Sequence, residues 1–293
     1  MLSATEAKQF ALSSQYSILN TKIMKNFFKY IAISAVAFTL ASCSKDNETL
    51  PFNSNKIKIG EAYAIGAATK IQLWADAGLE TGYNKLYLSA IDSVSGQAKT
   101  DVNFNILPMM TMTMSGGMKM QHSCPFEQAN ASAKKDGLTP AAAVFSMPTT
   151  DSGFWEMEVT INNKKAVIPF SVKEPKQSRL LMVKSTADNS NYLVALIPNA
   201  TYKIGVNDFE LFVTKKINGM TYTPADDLKL SIEPEMPDMG HGSPNNVNPA
   251  LTSNGHYKGK VNFTMSGYWK VNLQIKNASG VAIAEDTAFN ITF

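Results

Sequence analysis

Two stretches of this chain carry one pattern. SGFWEMEVTI (152–161) and SGYWKVNLQI (266–275) both read Ser-Gly-aromatic-Trp and then alternate apolar with polar residues. Such period-two alternation after a glycine marks a strand with one face buried. Two further pairs follow in the same order: GYNKLYLSA (82–90) with GVNDFELFV (205–213), and DVNFNILP (101–108) with DLKLSIEP (227–234). The offsets are 123, 126 and 114 residues, so the first copy is longer between Pro108 and Trp155. The chain reads as a divergent duplication.

The rest of the pattern is also β. KIQLWA, KLYLSAI, WEMEVTI, KAVIPFSV, YLVALI, FELFVT, LKLSIE, KVNFTM and WKVNLQI alternate or run apolar for a few residues, and Gly, Asn, Asp and Pro punctuate them. SVSGQ, INNKK and KNASG read as hairpin turns. Only ASAKKDGLTPAAAVF (131–145) has helical composition, limited by Gly137 and Pro140. The expectation is an all-β chain of two tandem antiparallel β-sandwich domains, at 58–174 and 178–293, joined through the polar KEPKQSR (173–179).

The front of the chain bears on location. From Met24 it reads MKNFFKYIAISAVAFTLASC, with Lys25 and Lys29 before an apolar run and small residues before Cys43. This is the order of a secretory signal. Its apolar run is far short of the roughly 20 residues that span a bilayer. The segment resembles bacterial lipoprotein signals, which implies a lipid on Cys43, a membrane anchor and a cell-envelope location at the outer membrane. Residues 1–42 are then leader and 43–57 a tether. Removing the leader takes Lys+Arg from 27 to 23 and Asp+Glu from 24 to 23, so the remainder is neutral and nothing marks it for nucleic acid. With Cys43 lipidated, Cys124 has no intrachain partner.

Methionine and histidine are concentrated. Met109, Met110, Met112, Met114, Met118 and Met120 fall in ILPMMTMTMSGGMKMQHSCP, and Met236 and Met239 in EPEMPDMGHGSP. All three histidines, His122, His241 and His256, lie in or just after these stretches. Thioethers are soft and select Cu(I), and imidazole suits copper and zinc. In the second stretch, Pro237 favours a type I turn that draws Met236 and Met239 together, with His241 beside them between two glycines. His256 is a further candidate at the same end. In the first stretch, Met110, Met112 and Met114 repeat every two residues, as do Met118, Met120 and His122, around Ser115-Gly116-Gly117. A hairpin there pairs Met114 with Met118, Met112 with Met120 and Met110 with His122, all on one face. Cys124 joins that face if the strand continues. The alternatives are a face packed on the core, since Met fills irregular gaps, and an adaptable surface for a protein partner.

EMPDMGHGSP resembles the Met-Pro-x-Met-x-His signature of YtkA-like and FixH-like domains, and the resemblance runs over 205–293 to include SGYWKVNLQI. It implies an immunoglobulin-like sandwich, an envelope location, and Met236, Met239 and His241 as ligands. The first stretch lacks Met-Pro-x-Met. No phosphate loop, Ser-His-Asp set or His-Glu-x-x-His is present, so an enzyme is not expected. The expected function is copper sequestration or delivery, with a copper efflux or oxidase-assembly protein as partner. The competing expectation is a surface interaction module without metal.

Overall fold

A computed structural model describes residues 55–199 and 201–293; the leader, Cys43 and most of the tether lie outside the described residues. The first sandwich is built from β1 (Ile57–Ala64), β2 (Thr69–Ala75), β3 (Gly82–Asp92), β4 (Asn105–Thr113), β5 (Lys119–His122), β6 (Phe126–Glu127), β7 (Thr139–Phe145), β8 (Gly153–Ile161) and β9 (Lys164–Phe170). The second holds β10 (Leu180–Lys184), β11 (Asn191–Leu196), β12 (Gly205–Lys216), β13 (Tyr222–Pro224), β14 (Lys229–Met236), β15 (His241–Gly242), β16 (Val247–Ser253), β17 (His256–Phe263), β18 (Tyr268–Lys276) and β19 (Ala282–Thr292). Among the described residues the only helical elements are two short 3-10 turns, Ala131–Ala133 and Pro237–Met239.

The sheets repeat one plan. In the first sandwich β1-β2-β3-β7-β6 faces β5-β4-β8-β9, and in the second β10-β11-β12-β17-β16 faces β15-β14-β18-β19, with β13 added to β12. The described residues are therefore all-β, in two antiparallel sandwiches. Registers agree as well. Pro108 pairs Met157, two residues past Trp155, and Pro234 pairs Val271, two past Trp269. The strand that opens each GYN or GVN stretch is fixed by one device. Asn84 Oδ1 accepts the Glu80 N–H at 3.1 Å while its amide donates to Glu80 and Gly82 carbonyls. Asn207 does the same with Lys203 and Gly205. Gly82 and Gly205 sit at φ 104° and 98°, where a side chain is strained.

The stretch 131–145 differs from its helical composition. After the 3-10 turn, residues 139–145 form β7 and pair with β3. Ala143 and Phe145 face the core at 0% exposure, and their burial outweighs the helix preference of the alanines. The turns fall as expected: Asn162 and Asn163 both take positive φ, 46° and 59°, in the β8–β9 hairpin.

Each sandwich has its own core. Trp155 packs with Leu88, Phe145 and Ile168 in one, and Trp269 with Phe209, Phe263 and Phe289 in the other. A third cluster joins Tyr83, Ala142 and Val144 of the first sandwich to Ala195, Ile197 and Phe212 of the second. The Arg179 guanidinium also pairs with Glu80 at 2.6 Å.

Candidate metal centres

On β4 the residues Ile106, Pro108 and Met110 point into the core, and Met110 is 1% exposed. Period two carries the same face outward past the sandwich edge. Met112 is half-buried and Met114 exposed. Strand β5 then lies antiparallel to β4, with Met110 opposite His122, Met112 opposite Met120 and Thr111 opposite Gln121. The Met114 N–H donates to the Met118 carbonyl at 2.7 Å, which closes the Ser115-Gly116-Gly117 turn. The other face is marked by Gln121 donating to Thr111 Oγ1 at 3.0 Å. Opposed side chains at this register have Cβ atoms about 5 Å apart. The hairpin thus presents three rungs: buried Met110 with half-buried His122, half-buried Met112 with exposed Met120, and exposed Met114 with exposed Met118. Core packing accounts for Met110 and part of Met112. It does not account for Met114, Met118 and Met120, exposed at 41%, 70% and 47%.

The imidazole on the inner rung is already oriented. His122 Nδ1 lies 3.1 Å from the Ser123 carbonyl, and a carbonyl only accepts, so Nδ1 carries the proton. Nε2 is left with a lone pair, and it is buried with no hydrogen-bond partner. A fixed tautomer of this kind is what a ligating histidine requires. The ring stands edge-on to Trp155, with centroids 5.8 Å apart.

The second sandwich repeats the inner rung. Met236 opposes His241 and is 6% exposed. His241 Nδ1 donates to the Gly242 carbonyl at 3.0 Å, and the ring lies 5.9 Å from Trp269. Each tryptophan donates its indole N–H to a methionine carbonyl, Trp155 to Met147 at 3.0 Å and Trp269 to Met265 at 3.1 Å. Met147 and Met265 are not among the residues that the Met and His spacing singles out. The signal was a methionine shortly before each Ser-Gly-aromatic-Trp. The glycine of that motif packs against the rung methionine: a Cβ on Gly153 would lie 2.7 Å from Met110 Cε, and one on Gly267 3.0 Å from Met236 Cε, with Gly267 also at φ 131°.

Three candidates stand elsewhere. Met239 does not converge with Met236. Residues Pro237–Met239 form a 3-10 turn closed by Gly240 N–H on the Met236 carbonyl, with Met236 turned into the core and Met239 59% exposed. His256 is at the wrong end. Asn262, six residues on, is the β17 residue that reaches Ser243 and Pro244 beside His241, so His256 is about 20 Å away along the strand. It bridges the sandwiches instead: Nε2 meets Glu127 at 3.0 Å and Nδ1 meets Glu210 at 3.3 Å. Burial opposes its charge, but the two carboxylates prevail and raise its pKa. Cys124 lies past the end of β5, fully buried in the first core, and burial pushes its thiol pKa up. Past the strand, the Ser123 hydroxyl donates to the Pro108 carbonyl at 2.7 Å and its N–H to the Gly219 carbonyl. Among the described residues, no group of three or more His, Cys, Asp and Glu is placed to hold a metal ion. An ion held at these rungs would rest on sulfur and one imidazole.

No curated protein matches the chain. Among solved structures, the Escherichia coli adhesin FdeC is similar at 17% identity and TM-score 0.26, over 79% of this chain and 66% of that one. A DUF4785 family protein from Legionella pneumophila is similar at 11% identity and TM-score 0.22, over 78% of this chain and 57% of that one. The chain thus spans less than two thirds of either. Residues 186–274, which run from just after β10 through most of β18 in the second sandwich, match the YtkA-like family model.

Proposed function

We propose that this is a lipid-anchored copper-binding protein of the cell envelope, taking Cu(I) as cargo at the Met–His rungs of both sandwiches. The first sandwich is, in this reading, a diverged copy of the YtkA-like second one. The observation that carries the proposal is the His122 rung, where an oriented, buried, unpartnered Nε2 lies at the base of a face of thioethers. Cu(I) favours that donor set. Thioethers need no deprotonation, so the Met–Met rungs keep their grip in mild acid, whereas the imidazole of a Met–His rung must first be neutral. The outer rungs form a path from solvent to the buried one, suited to sequestration or to handing copper to an efflux or oxidase-assembly partner. The protein is a binding module rather than an enzyme.

The exposure of Met114, Met118 and Met120 also favours a second reading, a contact patch for a protein partner. One variant separates the two. Replacing Met112, Met114, Met118 and Met120 with Leu keeps the apolar surface and removes four sulfurs. In a competition against a chromophoric Cu(I) chelator, the copper reading expects the variant to retain fewer ions than the unsubstituted protein. Equal retention by both refutes it for the hairpin.

A further inference from the structure

The first sandwich's imidazole lies beside a contact with the second sandwich. One residue, Ser123, makes the link. The Ser123 carbonyl accepts from His122 Nδ1 at 3.1 Å, and the Ser123 N–H donates to the Gly219 carbonyl at 3.3 Å. Gly219 sits in the β12–β13 loop of the second sandwich, held tight by Ile217 N–H on the Thr221 carbonyl and by Met220 N–H on Asn218 Oδ1. Gly219 therefore lies against Ser123, and Met220 is the next residue of the loop. It carries a thioether, is 40% exposed, and packs in none of the cores. His122, whose Nε2 has no partner, precedes Ser123 as Met220 follows Gly219, so the Ser123–Gly219 bond sets the two residues side by side.

We propose that Met220 is a sulfur ligand of the His122 site, so that an ion bound there is gripped by both sandwiches. The inference rests on the copper reading above. It also makes the two sites unequal. Among the described residues no loop of the other sandwich hydrogen-bonds to residues 241–243, so the His122 site is the tighter of the two and is sensitive to how the sandwiches are joined.

The test isolates the first site by carrying Met236→Leu and His241→Ala in residues 44–293, which retain both sandwiches. Cu(I) is titrated without oxygen against a chromophoric Cu(I) chelator, with and without Met220→Leu, and the one-ion form is examined by X-ray absorption. Met220→Leu is expected to weaken binding about tenfold or more, the scale of losing one partner of a metal site, and to remove one sulfur scatterer. An unchanged affinity and sulfur count, with binding intact, overturns the role of Met220 alone. If the protein without any substitution retains no Cu(I), the copper reading falls and this inference with it.

Discussion

The bridge at His256 gives a quantitative prediction. Neutral imidazole has one N–H, yet both His256 nitrogens face carboxylate oxygens, Glu127 of the first sandwich and Glu210 of the second. The arrangement is satisfied only by the imidazolium. Tyr83 Oη also donates to Glu127, Lys258 lies 3.4 Å from Glu210, and the ring packs 4.8 Å from Phe212. A hydrogen bond to a charged group contributes about 1.5–3 kcal/mol when buried, and an exposed pair about 0–1 kcal/mol. The His256 side chain is 14% exposed, but Glu127 is 36% and Glu210 27%, so about 1 kcal/mol per bond is the fair figure. His256→Ala then costs about 2 kcal/mol, or about 4–8 °C of melting temperature in a chain of this size. The sign with pH follows from the shifts. The folded pKa of His256 lies above its usual 6.5, so its contribution is complete below 6.5 and fades as pH rises through the raised value. Burial works against the Glu127 charge, but the hydrogen bonds from His256 and Tyr83 win and lower its pKa. Its contribution is complete above its usual 4.5 and fades as pH falls through the lowered value. The bridge is therefore strongest between about pH 5 and pH 6.5. Thermal melts of the unsubstituted protein and His256→Ala at pH 6 and pH 9 should show a gap that shrinks at the higher pH. An equal gap at both values would refute the charged bridge.

Other consequences are simpler to check. Asn84→Ala and Asn207→Ala remove the same three hydrogen bonds in the two sandwiches, and each should cost about 1–3 kcal/mol in denaturant unfolding. Cys124 is fully buried and its thiol is held protonated, so a thiol reagent should leave it untouched in buffer and label it in urea. Gly267→Ala meets both a φ of 131° and Met236 Cε at 3.0 Å, so it should lower stability by about 1–3 kcal/mol; Gly153→Ala, which has no positive φ, should cost less.

Much of this architecture is written in the sequence, because period two is a local property. The hairpin register followed from the spacing of Met110 to Met114 and Met118 to His122 about a Ser-Gly-Gly turn, and the structure pairs those residues. The same rule, carried one strand further, would have placed Met236. Leu230, Ile232 and Pro234 set the inward face of β14, and Met236 is next in that series, so its sulfur turns from Met239. His256 was harder to place. It follows an Asn-Gly turn, but which end of the sandwich that turn occupies depends on the pairing of β12 with β17, a contact between residues 44 or more apart. Glu127, its partner in the other sandwich, leaves no local trace at all. The helical composition of 131–145 misled because alanine's preference is weak beside burial in a sheet.

The central claim is that both Met–His rungs hold Cu(I), and counting ions tests it most directly. Residues 44–293 are loaded with Cu(I) without oxygen, challenged with a competing chelator, and assayed for retained copper, with His122→Ala, His241→Ala and the double variant in parallel. The account predicts retained Cu(I) in the unsubstituted protein, a partial loss in each single variant that is larger for His122→Ala, and the greatest loss in the double variant. No retained copper in the unsubstituted protein, or the same amount in all four, would contradict it.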